Sequence, residues 1–131
     1  MENYEKVLEH IKKNPGQTQA QITHRLEIPQ STVKYHLLLL GKENKIFSEK
    51  LFKTHYFPIG ISDELKIESC IKSNYNLNVI FEMCKNEKSL DEIAESCNIS
   101  KSMASKRLQI LESLDTIKKI KVEKKIKFCR N

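Results

Sequence analysis

The chain has 131 residues, of which 31% are charged, with 23 Lys and Arg against 17 Asp and Glu for a net charge of +6. That length suits one ordinary domain or two small ones. Three glycines leave no room for a Gly-rich phosphate cradle, and no apolar run approaches the roughly 18 residues a membrane span needs.

Taken in chain order, Tyr4, Val7, Leu8 and Ile11 fall at i, i+3, i+4 and i+7 and predict a first amphipathic helix. Asn14-Pro15-Gly16 ends it, because proline lacks an amide donor and glycine tolerates the turn. Thr18-Gln19-Ala20-Gln21 then reads as a capping box opening a short second helix that closes at Leu26. Across the tight turn Glu27-Ile28-Pro29 a third helix is expected, with Val33, Leu37 and Leu40 facing inward. From Ile46 to Phe57, apolar and polar residues alternate as in a half-exposed hairpin. Ser62-Asp63-Glu64 resembles a capped helix start, and Leu65, Ile67, Cys70 and Ile71 give residues 61–75 an apolar side. This acidic connecting helix is not expected against a polyanion; packing of two domains and a dimer contact both stay open for it.

The same series then recurs. Val79, Ile80, Met83 and Cys84 predict a helix, Ser89-Leu90-Asp91-Glu92 a second capping box, and Asn98-Ile99-Ser100 a turn after Cys97. Ala104, Leu108 and Leu111 mark the inner side of the next helix, and Ile120, Val122, Ile126 and Phe128 alternate with charged residues in a second hairpin over Ile117–Phe128. At an offset of 71, Ile22 falls on Ile93, Ile28 on Ile99, Ser31 on Ser102, Leu37 on Leu108, Ile46 on Ile117, Lys50 on Lys121, Lys53 on Lys124 and Phe57 on Phe128. Upstream the offset is 72, pairing Val7 with Val79 and Ile11 with Met83. A short helix, a three-residue turn and a longer helix form a helix-turn-helix, so the repeat predicts two copies of one module. Charge is shared between them: +3 over 1–60, −1 over 61–75 and +4 over 76–131. Each copy therefore suits a polyanionic partner.

Gln30-Ser31-Thr32-Val33-Lys34-Tyr35-His36-Leu37 resembles the recognition helix of winged helix-turn-helix regulators of bacteria and archaea, including the ArsR and MarR groups, and Leu39-Leu40 and Ile46-Phe47 follow in the expected order. Lys101-Ser102-Met103-Ala104-Ser105-Lys106-Arg107-Leu108 resembles it more loosely. The resemblance implies a mainly α fold with small β wings: two tandem winged helix-turn-helix domains, 1–60 and 76–131, joined by the helix at 61–75. Pro29 departs from the pattern where Ser100 can cap, the paired metal-binding cysteines of some ArsR-type sensors are missing, and neither wing has a Gly- or Arg-rich tip. Metal sensing is therefore not carried over.

In such a module the exposed residues near the start of the second helix enter the major groove. Those are Gln30, Ser31, Thr32, Lys34 and Tyr35 in the first copy, and Lys101, Ser102, Met103, Ser105, Lys106 and Arg107 in the second. Gln30 suits adenine, the hydroxyls suit bases or phosphates, and the lysines suit phosphates. Lys50 and Lys53, with Lys121, Lys124 and Lys125, would grip flanking phosphates from the wings. Plainer roles compete: solvated wing lysines, Ser31 and Thr32 satisfying the helix start, Tyr35 packed under the wing, and His36 as a structural residue. His10, His24 and His55 share no metal-site spacing, and the cysteines Cys70, Cys84, Cys97 and Cys129 stand far apart, reading as reduced, mostly buried thiols.

The expectation is thus a cytoplasmic, nucleoid-associated transcriptional regulator whose partner is double-stranded DNA, with no cofactor, no metal and no catalytic signature; Met1–Asn14 mixes charges and lacks a leader pattern. Homodimerisation stays open. An architectural DNA-coating protein and a winged-helix protein-interaction module are the competing functions.

Overall fold

The computed structural model describes residues 2–131, which fall into two units with the boundary between Ser73 and Asn74. The first contains α1 (Glu2–Lys13), α2 (Gln19–Leu26), α3 (Gln30–Lys42), β1 (Ile46–Lys50), β2 (Thr54–Pro58) and α4 (Asp63–Lys72). Val7, Ile11, Ile22, Ile28, Val33, Leu37, Leu40 and Ile46 form its core, with Tyr4, Leu8, Leu26 and Tyr56 packed against them. Burying each large aliphatic side chain contributes about 1.5–3 kcal/mol. Helix periodicity selects Val7, Ile11, Ile22, Val33, Leu37 and Leu40, while Ile28 comes from the turn between α2 and α3 and Ile46 from β1.

Thr18 caps α2 in the expected box: its hydroxyl accepts from the Gln21 amide, and the Gln21 side chain accepts from the Thr18 amide. The helix stops where Glu27 adopts a left-handed conformation, φ 55°. The second unit repeats both devices, with Ser89 and Glu92 in the box and Asn98 at φ 54°. Ser89→Ala is expected to destabilise the second unit by about 1 kcal/mol and Ser89→Gly by only a few tenths; urea midpoints of the two variants check this.

β1 and β2 pair antiparallel from Ile46↔Pro58 to Lys50↔Thr54. Tyr56 extends the pairing: its amide donates to the Gln17 carbonyl and its carbonyl accepts from the Gly16 amide. Ile46 and Tyr56 share the face packed on the helical core, while Phe47, Glu49, His55 and Phe57 share the other. α4 meets that second face through Lys66, whose ammonium is 2.8 Å from Glu49 and lies over the Phe47 ring. The Ser73 hydroxyl donates to the Gly16 carbonyl, and the Gln21 amide group donates to the Ser73 carbonyl. The segment read from sequence as a connecting helix is therefore divided. α4 is built into the first unit, and Asn74 caps the next helix.

The second unit comprises α5 (Tyr75–Met83), α6 (Leu90–Cys97), α7 (Lys101–Ser113), β3 (Ile117–Val122) and β4 (Lys125–Arg130). Its first helix buries Leu77 and Ile80 and its C-cap residue Cys84, whereas the sequence pattern predicts Val79, Ile80, Met83 and Cys84. The Asn74 cap starts α5 early enough for Leu77 to take the inward position.

The hairpin needs a larger correction. Gln17 bridges to Tyr56 and Lys88 to Phe128, so the offset is 71 before the hairpin and 72 on its return strand. Phe128 thus takes the place of Tyr56, and Cys129 that of Phe57. The cause is strand length: six-residue strands close through Glu123-Lys124, whereas the first hairpin joins five-residue strands through three residues. Both turn residues have positive φ, 50° and 68°, as a two-residue turn of this hand demands. The register also places Ile120 and Val122 on the face opposite Ile126 and Phe128, so these four residues do not form one apolar side.

Candidate nucleic-acid interface

α3 opens at Pro29, which supplies no side-chain cap; its fixed φ nonetheless suits a helix start. Val33, Leu37 and Leu40 anchor one side of the helix in the core, which turns Gln30, Ser31, Lys34 and Tyr35 outward. Thr32 is half-buried. Among the described residues, neither the Ser31 nor the Thr32 hydroxyl bonds to the chain, so both remain available to a ligand. Tyr35 is 61% exposed and lies edge-on to His36, which excludes its packing under the hairpin. His36 itself is half-buried, edge-on to Tyr4, with a buried Nδ1 that has no partner among the described residues.

Lys50 and Lys53 are exposed at the tip of the first hairpin. Behind them His55, 2% exposed, holds the tip in place. The Lys53 amide donates to Nε2, so Nδ1 carries the proton and donates to the Gly16 carbonyl at 2.8 Å. Phe52 closes over the imidazole edge-on, and Glu49 stands opposite it in the register, held by Lys66. Burial lowers the His55 pKa; the Lys53 charge adds to this and the bond to Gly16 opposes it. An unfolded histidine titrates at about pH 6.5, so below that pH the unfolded chain binds the proton that folded His55 refuses. Stability of the first unit is therefore expected to be complete above about pH 6.5 and to fall as the pH drops towards 5. Urea midpoints across that range test this, and His55→Asn should flatten that part of the profile.

In the second unit Ser100 caps α7, accepting from the Met103 amide. Lys101, Ser102, Met103 and Lys106 are exposed, while Ser105 and Arg107 are half-buried. Lys101 is tied to Asp91 at 3.1 Å and Arg107 rests on the Met103 sulfur, so two of the cations expected on this helix already have partners. Lys121, Lys124 and Lys125 are exposed on the second hairpin.

Three cations escaped the sequence reading. Lys118 and Lys119 are exposed and Lys127 half-buried on the same hairpin, which carries six lysines and one glutamate between Ile117 and Phe128. The register sets Lys119 and Lys121 on one face and Lys118, Lys125 and Lys127 on the other, with Lys124 in the turn. That lysine run was visible in the sequence; its distribution over both faces was not. Arg130 is occupied, stacked on Phe81 at 3.8 Å and paired with Glu82.

Residues 5–46 match the winged helix-turn-helix DNA-binding family. The match runs from α1 through α3 to the start of β1. No curated protein matches the chain. The chain as a whole is mainly helical with two small antiparallel hairpins, and no described helix is long and apolar enough to cross a membrane. Its cysteines are free; burial pushes the Cys70 thiol up to about 12 and the Cys84 thiol up to about 11, which keeps both protonated and unreactive.

Proposed function

We propose that the protein is a double-stranded DNA-binding transcriptional regulator in which two tandem winged helix-turn-helix domains present α3 and α7 to the major groove. The observation that carries this reading is the outward stripe of α3, where Gln30, Ser31, Lys34 and Tyr35 stand exposed inside the segment that matches the DNA-binding family. Gln30 has the donor and acceptor pair that reads adenine, and Lys34 and the Tyr35 hydroxyl suit phosphates. Support for a second domain of the same kind comes from the recurrence of the capping box and of the left-handed residues, Glu27 with Asn98 and Asn44 with Asp115. The two helices differ in sequence, so the half-sites they read are unequal.

An architectural role has one specific observation in its favour. The second unit carries six lysines on its hairpin against three cations on α7, two of which have partners there, a balance that suits phosphate contact over base reading.

Fluorescence-anisotropy titrations of the whole chain, against its own upstream DNA and a randomised duplex pool at several salt concentrations, separate the readings. A regulator binds the upstream duplex selectively, and Gln30→Ala lowers that preference. Equal affinity for every duplex supports the architectural role instead. A protein that binds no duplex at low salt is an interaction module, with neither DNA role.

A further inference from the structure

Between Ile46 and Pro58 the chain carries one carboxylate, Glu49, beside the exposed cations Lys50 and Lys53. A two-stranded hairpin is only marginally stable by itself, so what lies against its outer face decides how firmly its tip is held. α4 reaches that face at two places. Near its start, Lys66 sets its ammonium 2.8 Å from Glu49 on β1 and 3.0 Å from Asp63, over the Phe47 ring. Near its end, the backbone at Ser69 and Cys70 closes on Gly16. The Ser73 hydroxyl donates to the Gly16 carbonyl, the same oxygen that accepts from His55 on β2. Each strand is thus tied to α4, β1 directly and β2 through Gly16.

The tie on β1 sits beside the tip. Glu49 adjoins Lys50, and the turn that follows closes with the Leu51 amide donating to the Lys53 carbonyl at 2.9 Å. The Lys53 amide donates in turn to His55. Lys66 itself is not a free cation for a phosphate: its side chain is 15% exposed and already has two carboxylate partners. An ion pair in open solvent adds little, but this one joins a mostly buried lysine to the end of a strand whose next residue is a candidate phosphate contact.

We propose that Lys66 is a positioning residue for duplex binding: by holding Glu49 against α4 it fixes the hairpin tip where Lys50 and Lys53 meet phosphates. The proposal rests on the DNA-binding reading above. α4 lies beyond residues 5–46, so the family match does not account for this tie. Without the Lys66 ammonium, Glu49 turns to solvent and the tip samples positions in which neither lysine reaches the backbone of the duplex.

The test is a mutant cycle on the full chain, read as salt-dependent affinity for a random duplex. Lys66→Met keeps the apolar stem over Phe47 and removes the charge; Lys66→Leu is the second variant should methionine not fold, and amide spectra report folding. The expected result is a loss on the order of tenfold at about 0.15 M salt and a slope of log K against log salt shallower by about 1–2, since up to two phosphate contacts go. Lys66→Arg should restore both. In a chain that already carries Lys50→Ala and Lys53→Ala, Lys66→Met should cost less than about twofold, because the residues it positions are gone. An undiminished loss in that background marks a direct charge effect, from Lys66 or from the freed Glu49, and overturns positioning, as does parental affinity of Lys66→Met or failure of Lys66→Arg to restore it. Hydrogen exchange at the Leu51 amide reads the tip without DNA and should be at least about fivefold faster in Lys66→Met. Exchange at the parental rate overturns the tie whether or not the chain binds DNA. If the parent binds no duplex at low salt, the DNA reading fails, while faster Leu51 exchange still identifies Lys66 as the residue that holds the tip.

Discussion

Gly16→Ala is expected to destabilise the first unit by about 3 kcal/mol, combining roughly 1–2 kcal/mol for a side chain at positive φ with roughly 1–3 kcal/mol for overpacking. Gly16 has φ +87°, and a Cβ there would lie 2.8 Å from the Cys70 amide nitrogen, 2.9 Å from the Ser69 carbonyl carbon and 3.1 Å from the Cys70 Cα. All three are backbone atoms of α4, which cannot rotate aside as a side-chain tip can. Moving the glycine instead would disturb its carbonyl, which accepts from both His55 and Ser73, and its amide, which donates to Tyr56. Two other glycines separate the causes. Gly60 has φ +93° in open space, so Gly60→Ala should show the conformational cost alone, about 1–2 kcal/mol. Gly41 is helical with open space around it, so Gly41→Ala should stabilise by about 0.4–1 kcal/mol. Urea unfolding followed at first-unit amides ranks the three; Gly16→Ala no less stable than Gly60→Ala would remove the close approach of α4 as an explanation.

The second large effect is electrostatic. Replacing Lys121, Lys124 and Lys125 together with alanine should make the slope of log K against log salt shallower by about 3, since each phosphate contact contributes about 0.9. At about 0.15 M salt the same arithmetic gives a loss of roughly 100-fold in affinity. The loss should be nearly equal on every duplex, because phosphate contacts carry no sequence information. Gln30→Ala should behave oppositely, costing about 1–3 kcal/mol on the preferred duplex and little on others while leaving the slope almost unchanged. Salt titrations of the three proteins on preferred and random duplexes distinguish these patterns. A triple variant with the parental slope would show that the hairpin lysines are merely solvated.

His55, α4 and the second hairpin show where sequence reading ran out. His55 looked like an isolated histidine, because its partners are the Gly16 carbonyl, 39 residues away, and a neighbouring amide that faces it only after the hairpin bends. The apolar side of α4 was legible in Leu65, Ile67, Cys70 and Ile71, but periodicity does not say what a helix packs against. Part of that answer lies in Gly16, whose lack of a side chain admits the helix backbone. The hairpin error is of the same kind: matching Phe57 with Phe128 satisfied residue type, while the ladder matched Tyr56 with Phe128. A one-residue slip turns every side chain on the return strand to the other face, and only the pairing itself reveals it.

The candidate site divides along the same line. That Gln30, Ser31, Lys34 and Tyr35 point away from the core followed from the inward spacing of Val33, Leu37 and Leu40. That Lys101 is engaged by Asp91 required the distance between two helices. The sequence by itself determined the helices, their capping boxes and the inner side of α3 and α7, because each depends on residues within about one or two turns of one another. The tertiary structure decided strand register, the docking of α4, the burial of His55 and which cations are free, because each depends on groups far apart in the chain, whose meeting no local pattern encodes.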